Sequence, residues 1–158
     1  MSEALIFFFT VIASTGGFVV AVVFLILALV RRKHTKDAIA LLLTAAGLML
    51  SVQFLKVWLQ VPRPSEALIE VAGYGMPSGH AAGSAFLTLL VIHLSSKFRL
   101  PAFYAVIVFV LLLAVFISAS RIYFQVHTLS QVLIGSLLGV TFGLIYIFVS
   151  KRIEGKKR

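Results

Sequence analysis

A small set of side chains, spread over four places in the chain, is suited to binding and cleaving a phosphate ester. Lys56 and Arg63 form one group, Ser78, Gly79 and His80 a second, Arg121 a third and His127 a fourth. Two guanidinium forks and an ammonium match phosphoryl oxygens in charge and shape. Pro77 is expected as the first residue of a helix, where its missing N–H costs nothing. The backbone N–H groups of Ser78, Gly79 and His80 are then expected free at a helix N-terminus, with the positive dipole end behind them. Gly79 lets an anion approach the backbone closely, and the Ser78 hydroxyl adds a donor. Two histidines divide the work of phosphoryl transfer. One attacks as a neutral imidazole, and the other protonates the leaving oxygen.

A metal site fits the sequence poorly. The acids are Glu3, Asp37, Glu66, Glu70 and Glu154. Two-metal phosphatases need several converging carboxylates, and Asp37 and Glu154 are expected at the face away from the histidines. No metal and no cofactor is expected.

The elements that hold these groups are membrane spans. The chain has 158 residues, 61% of them apolar and 12% charged. A soluble domain is roughly 45–50% apolar and about 25% charged. The absence of cysteine removes disulfide and thiolate chemistry. Runs of about 18 or more apolar residues read as transmembrane helices. Five are expected: Ala4–Val30, Ala38–Val61, Pro77–Ser96, Pro101–Ser120 and Thr128–Ser150. The expected fold class is therefore all-α, a polytopic helical bundle forming one domain over residues 1–158. The first span is not expected to be a cleavable signal, because its basic residues follow the apolar run instead of preceding it.

Charge placement orients the bundle. Apart from Lys56, Arg63 and Arg121, every basic residue lies in the 31–37 segment, the 97–100 segment or the C-terminal tail. With five spans those segments share one side, which the positive-inside rule makes cytoplasmic. The N-terminus is then outside and the C-terminus cytoplasmic. The net charge of +9 reads as topology signal and lipid-headgroup contact, and no nucleic-acid partner is expected. Lys56, Arg63 and Arg121 run against the bias, on the rim that also carries both site histidines. Ionisable residues in or beside spans tend to be functional.

Lys56-x6-Arg63-Pro64, Pro77-Ser78-Gly79-His80 and Ser120-Arg121-x5-His127 resemble the three-part signature of the type 2 phosphatidic acid phosphatases. The resemblance implies a metal-independent membrane lipid phosphatase at the extracytoplasmic face of the cell (inner) membrane. His127 would be the nucleophile, forming a phosphohistidine, and His80 the general acid. Lys56, Arg63, Ser78, Gly79 and Arg121 would hold the phosphate. Substrates of such proteins include phosphatidate, phosphatidylglycerol phosphate, isoprenoid diphosphates and lipid A phosphates.

Two features depart from the family pattern. Gln131 stands where an aspartate is usual, four residues after the nucleophilic histidine. Four residues apart on a helix is one face, so the Gln131 carbonyl can accept the imidazole Nδ1–H and set the tautomer. It cannot supply a negative charge. The family core also usually has six spans, and the first is missing here. A second copy of the chain would cover that flank, which makes a homo-oligomer an expectation. The alternatives to hydrolysis are a lipid phosphotransferase and a catalytically impaired binder of anionic lipid. A transporter ranks below these, since neither an internal repeat nor a midplane polar path is seen.

Other features have plainer readings. His34 is expected in a solvated loop, and His93 near the cytoplasmic end of its helix. Trp58 and Tyr74 read as interface anchors, and Glu66 and Glu70 as a solvated loop face. Gly135, Gly139 and Gly143 repeat every four residues, the spacing of close helix packing.

Overall fold

A computed structural model describes residues 15–69 and 71–155 of the chain. Glu3, the first part of the expected Ala4–Val30 span, Glu70, Lys156, Lys157 and Arg158 lie outside the described residues. All regular structure among the described residues is helical: α1 Thr15–Arg31, α2 Thr35–Leu59, α3 Gly79–Lys97, α4 Phe103–Tyr123 and α5 Leu129–Gly155. Helices α2 to α5 are each long and apolar enough to cross a membrane, and α1 is a shorter apolar helix over its described length. This is a membrane protein, and its apolar side chains face outward as a bilayer requires. Tyr104, Phe109, Leu112 and Val115 on α4 are all exposed.

Helix α3 is the hub, packing against α5, α4, α2 and α1. Its face toward α5 is built from small residues. Ala81 and Ala82 are fully buried, and the glycine stripe of α5 lies against them. A Cβ at Gly135 would overlap the Ser78 backbone carbonyl, and one at Gly139 the Ala82 carbonyl. At Gly143 the nearest atoms a Cβ would meet belong to the Leu89 side chain, at 2.9 Å. The stripe therefore brings two backbones into direct contact, as its spacing predicts.

Three local features place the site at one end of the bundle. Helix α2 stops at Gln60, which takes a left-handed conformation (φ 50°) and returns its N–H to the Lys56 carbonyl. Pro62 and Pro64 then hold the chain extended around Arg63. Helix α4 closes in a tight turn, in which the Arg121 carbonyl accepts both the Val126 and His127 N–H groups, each at 3.2 Å. That turn buries His127. Helix α3 starts at Gly79, with Ser78 as its N-cap.

The start of α3 corrects one expectation. Pro77 lies before the cap, not in the first turn, and its peptide bond to Met76 is cis. The Ser78 N–H is not free, because it donates to the Gln131 backbone carbonyl at 3.0 Å. Gly79 and His80, the first two helical residues, keep N–H groups with no partner inside the helix.

The opposite end of the bundle holds a buried polar network. Asp37 is 1% exposed. It accepts hydrogen bonds from Ser150 Oγ at 2.6 Å, Lys97 Nζ at 2.9 Å and His34 Nδ1 at 3.1 Å. Lys97 also pairs with Glu154 at 2.8 Å, and His93 Nε2 lies 3.2 Å from Ser150 Oγ. His34 is thus not a solvated loop residue, since its ring also meets Phe98 edge-on. Lys97 is not simply a topology charge, because its side chain is only 7% exposed. Together these residues join α2, α3 and α5.

Candidate active site

Lys56, Arg63, Gly79, His80, Arg121 and His127 line one cavity of about 600 Å³. They come from α2, the loop after it, α3, α4 and the turn before α5. The sequence groups, spread over more than seventy residues, therefore meet at one place. Ser78 and Gln131 stand behind the cavity wall. Ser78 is fully buried, and its hydroxyl has no hydrogen-bond partner among the described residues. Tyr74 lines the cavity as well, so it is more than the interface anchor its type suggested.

His127 is held from both sides. Its Nδ1 lies 3.0 Å from Gln131 Oε1, and its Nε2 lies 3.1 Å from Arg63 Nη1. A guanidinium can only donate, so Nε2 is the acceptor and carries no proton. Nδ1 is then the protonated nitrogen and donates to Gln131. The tautomer is fixed, with the Nε2 lone pair directed toward the cavity cations. Burial pushes the imidazole pKa down to about 4, against the opposing effect of the Gln131 hydrogen bond and with help from the charges of Arg63 and Lys56. His127 is therefore neutral over the physiological range.

Gln131 is itself anchored. Its Nε2 donates to the Pro62 carbonyl at 3.1 Å, and its Oε1 also accepts the Thr128 N–H at 3.3 Å. Gly75 closes over the amide. A Cβ there would sit 2.7 Å from Gln131 Nε2 and 2.9 Å from the Pro62 carbonyl oxygen. The usual aspartate could not make the bond to Pro62, since a carboxylate only accepts.

Lys56 and Arg63 are occupied by backbone carbonyls. Lys56 Nζ donates to Tyr74 at 2.6 Å. Arg63 donates to Gly73 and Val126 at 3.0 Å each, and to Ala72 at 3.4 Å. Arg121 is 2% exposed and donates from Nε to Ser120 Oγ at 3.1 Å. The 72–74 segment thus lines the cavity and accepts from Lys56 and Arg63. Sequence reasoning passed over this segment because backbone carbonyls leave no mark on residue type.

Below the rim the cavity turns apolar. Phe18 of α1, Met49 of α2, Leu87 of α3 and Leu113 of α4 line it. The sequence reading also missed Gln53, on the Lys56 face of α2, which lines the cavity one turn below Lys56. A polar residue three positions from a site lysine was the available signal.

Residues 37–154 match the model of the PAP2 superfamily, and the chain belongs to that family. Over its whole length it superposes on 80% of the crystal structure of a transmembrane PAP2-type phosphatidylglycerolphosphate phosphatase from Bacillus subtilis. The TM-score is 0.77 at 24% sequence identity, a likeness of fold. Over 104 residues, 63% of its length, it is 32% identical to the palmitoyl-protein thioesterase-dolichyl pyrophosphate phosphatase fusion 1 of Schizosaccharomyces pombe. The match spans 17% of that longer protein. The fold is that of a membrane lipid phosphatase.

Proposed function

We propose that the protein removes a phosphate from a lipid by way of a phosphohistidine on His127. The observation that carries this is the clamping of the His127 imidazole, with Nδ1–H on Gln131 and a bare Nε2 facing a cavity lined by cations. In the first step Nε2 attacks phosphorus and the bond to the lipid oxygen breaks. His80, carried as the imidazolium beside the bound phosphate anion, gives its proton to that leaving oxygen and becomes neutral. In the second step water attacks the phosphohistidine, His80 takes the water proton, and inorganic phosphate leaves. Lys56, Arg63 and Arg121 neutralise the charge spread over the phosphoryl oxygens. Gly79 and His80 add backbone N–H groups from the start of α3, while Ser78, buried behind the cavity wall, acts through the position of that helix start. A bound phosphate takes over the donors that Lys56 and Arg63 now give to the carbonyls of 72–74, and it frees Nε2 from Arg63.

The reaction is metal-independent in this reading. The charged residues facing the cavity are cations, and no carboxylate lines it among the described residues. The lipid is approached from the bilayer, since the cavity continues between apolar helices.

In the same reading the chain is one domain of five spans, with the N-terminus outside, the C-terminus cytoplasmic and the site at the extracytoplasmic face of the cell membrane. A second copy of the chain packs on the flank beside α1. Neutral Gln131 favours one further reading, a binder of anionic lipid with little turnover. The test is phosphate release in detergent with chelator present, from phosphatidate, phosphatidylglycerol phosphate, undecaprenyl diphosphate and a lipid A phosphate. Release that survives chelator and is lost in His127→Ala supports the phosphatase. A folded protein inert on every lipid supports the binder.

A further inference from the structure

We propose that Gln53 is a specificity-determining residue that reads the polar linkage directly beneath the phosphate, selecting glycerolipid phosphates over isoprenyl phosphates. The inference rests on the lipid-phosphate site proposed above and names the class of lipid that enters it. The cavity is layered by depth. Lys56, His80 and Arg121 form its phosphate layer, with the charge on Lys56 and Arg121, each at the site end of its helix. One turn deeper on the same faces come Gln53, Ser84 and Ile117. A turn below those, the lining is Met49, Leu87 and Leu113. A shift of three or four residues along a helix is about 4.5–6 Å, so Gln53 and Ser84 lie at similar depth under the phosphate layer.

The order charged, neutral polar, apolar is the order of a glycerolipid phosphate: phosphate, glycerol esters, acyl chains. An isoprenyl phosphate passes from phosphate straight to hydrocarbon and would leave the Gln53 amide against an apolar chain. A polar group held in such surroundings without a partner is costly. The second phosphate of a diphosphate calls for a cation in this layer, and Gln53, Ser84 and Ile117 are all neutral. Gln53 is exposed to the cavity and makes no hydrogen bond among the described residues. The Ser84 hydroxyl already donates to the Ala81 carbonyl at 3.1 Å, so Gln53 supplies the free N–H donors for an ester carbonyl. A site built to hydrogen-bond a substrate group discriminates against analogues that lack it.

The test measures binding of two non-hydrolysable phosphonate lipids in detergent, one built on dioleoylglycerol and one on geranylgeraniol. Wild-type protein is compared with Gln53→Met, which keeps side-chain length and removes the amide. The wild type should bind the dioleoylglycerol phosphonate more tightly. Gln53→Met should weaken that lipid by about tenfold and leave the geranylgeranyl lipid within about twofold. Retained geranylgeranyl binding also shows that the variant is folded. Equal weakening of both lipids, loss of both, no change in either, or a wild-type preference for the isoprenyl lipid would overturn the proposal. Phosphate release from dioleoyl phosphatidate, run in parallel, separates the two ideas. Selective binding without turnover sinks the phosphatase reading and supports the role of Gln53. Turnover with unselective binding does the reverse.

Discussion

Gln131 Oε1 accepts the His127 Nδ1–H at 3.0 Å while the other end of the same amide donates to the Pro62 carbonyl at 3.1 Å. One neutral side chain thus orients the imidazole proposed as the nucleophile and ties it to the loop that carries Arg63. Gln131→Leu removes both bonds, and kcat should fall by about 10²-fold with little change in KM. Gly75→Ala pushes a methyl group into the same amide and should reproduce the loss. Steady-state kinetics on phosphatidate check both. Full activity in Gln131→Leu would mean that the amide has no part in orienting His127.

The pH profile follows from the burial of His127. Its pKa of about 4 lies below the ordinary imidazole value, so the attacking neutral form persists on acidification. The acid limb that the nucleophile contributes to kcat/KM should fall near pH 4 rather than near 6.5. In Gln131→Asp the added carboxylate favours the imidazolium, and the limb should move to higher pH. The same variant loses the bond to Pro62, which should lower stability by about 1 kcal/mol.

Packing along the α5 glycine stripe should be graded. Gly135→Ala and Gly139→Ala drive a methyl group into backbone carbonyls of the α3 N-terminal region. Each should cost about 1–3 kcal/mol or more, and Gly135→Ala should also impair activity by shifting Ser78. Gly143→Ala meets first a movable leucine side chain and should cost less. Thermal unfolding in detergent ranks the three.

The Asp37–Lys97 pair should show strong coupling. Removing Lys97 alone leaves the Asp37 carboxylate buried, with His34 and Ser150 as its remaining partners among the described residues. Lys97→Met should therefore cost about 3–5 kcal/mol. Asp37→Asn with Lys97→Met should cost less than the sum of the single changes, which a double-mutant cycle of unfolding free energies measures.

How much of this was legible in the sequence depends on the kind of residue. Apolar run length located α2 to α5 within a few residues, because the bilayer requires that length of any span. The site groups were legible because charge is rare in such a chain. Lys56, Arg63 and Arg121 stood against the charge bias, and the spacing from His127 to Gln131 implied the hydrogen bond that forms. The far network was not legible. Asp37, Lys97 and His34 sit at span ends, where composition looks the same for a solvated charge and a buried one, and only the packing of α2, α3 and α5 tells them apart. The start of α3 was misplaced for a similar reason. A proline before Ser-Gly fits the first turn or the residue before the cap, and the bond from Ser78 to the Gln131 carbonyl, from a distant helix, decides it.

In the proposed reaction Nε2 of His127 carries the phosphoryl group. The direct test is to quench the enzyme during turnover of a phosphorus-labelled phosphatidate, keep the digest alkaline, and locate the label by mass spectrometry and phosphorus NMR. The expected result is a phosphohistidine at His127, substituted on Nε2 and absent from His127→Ala. Label on Nδ1, on His80 or on any other residue would contradict it, as would turnover at full rate with no phosphoenzyme trapped.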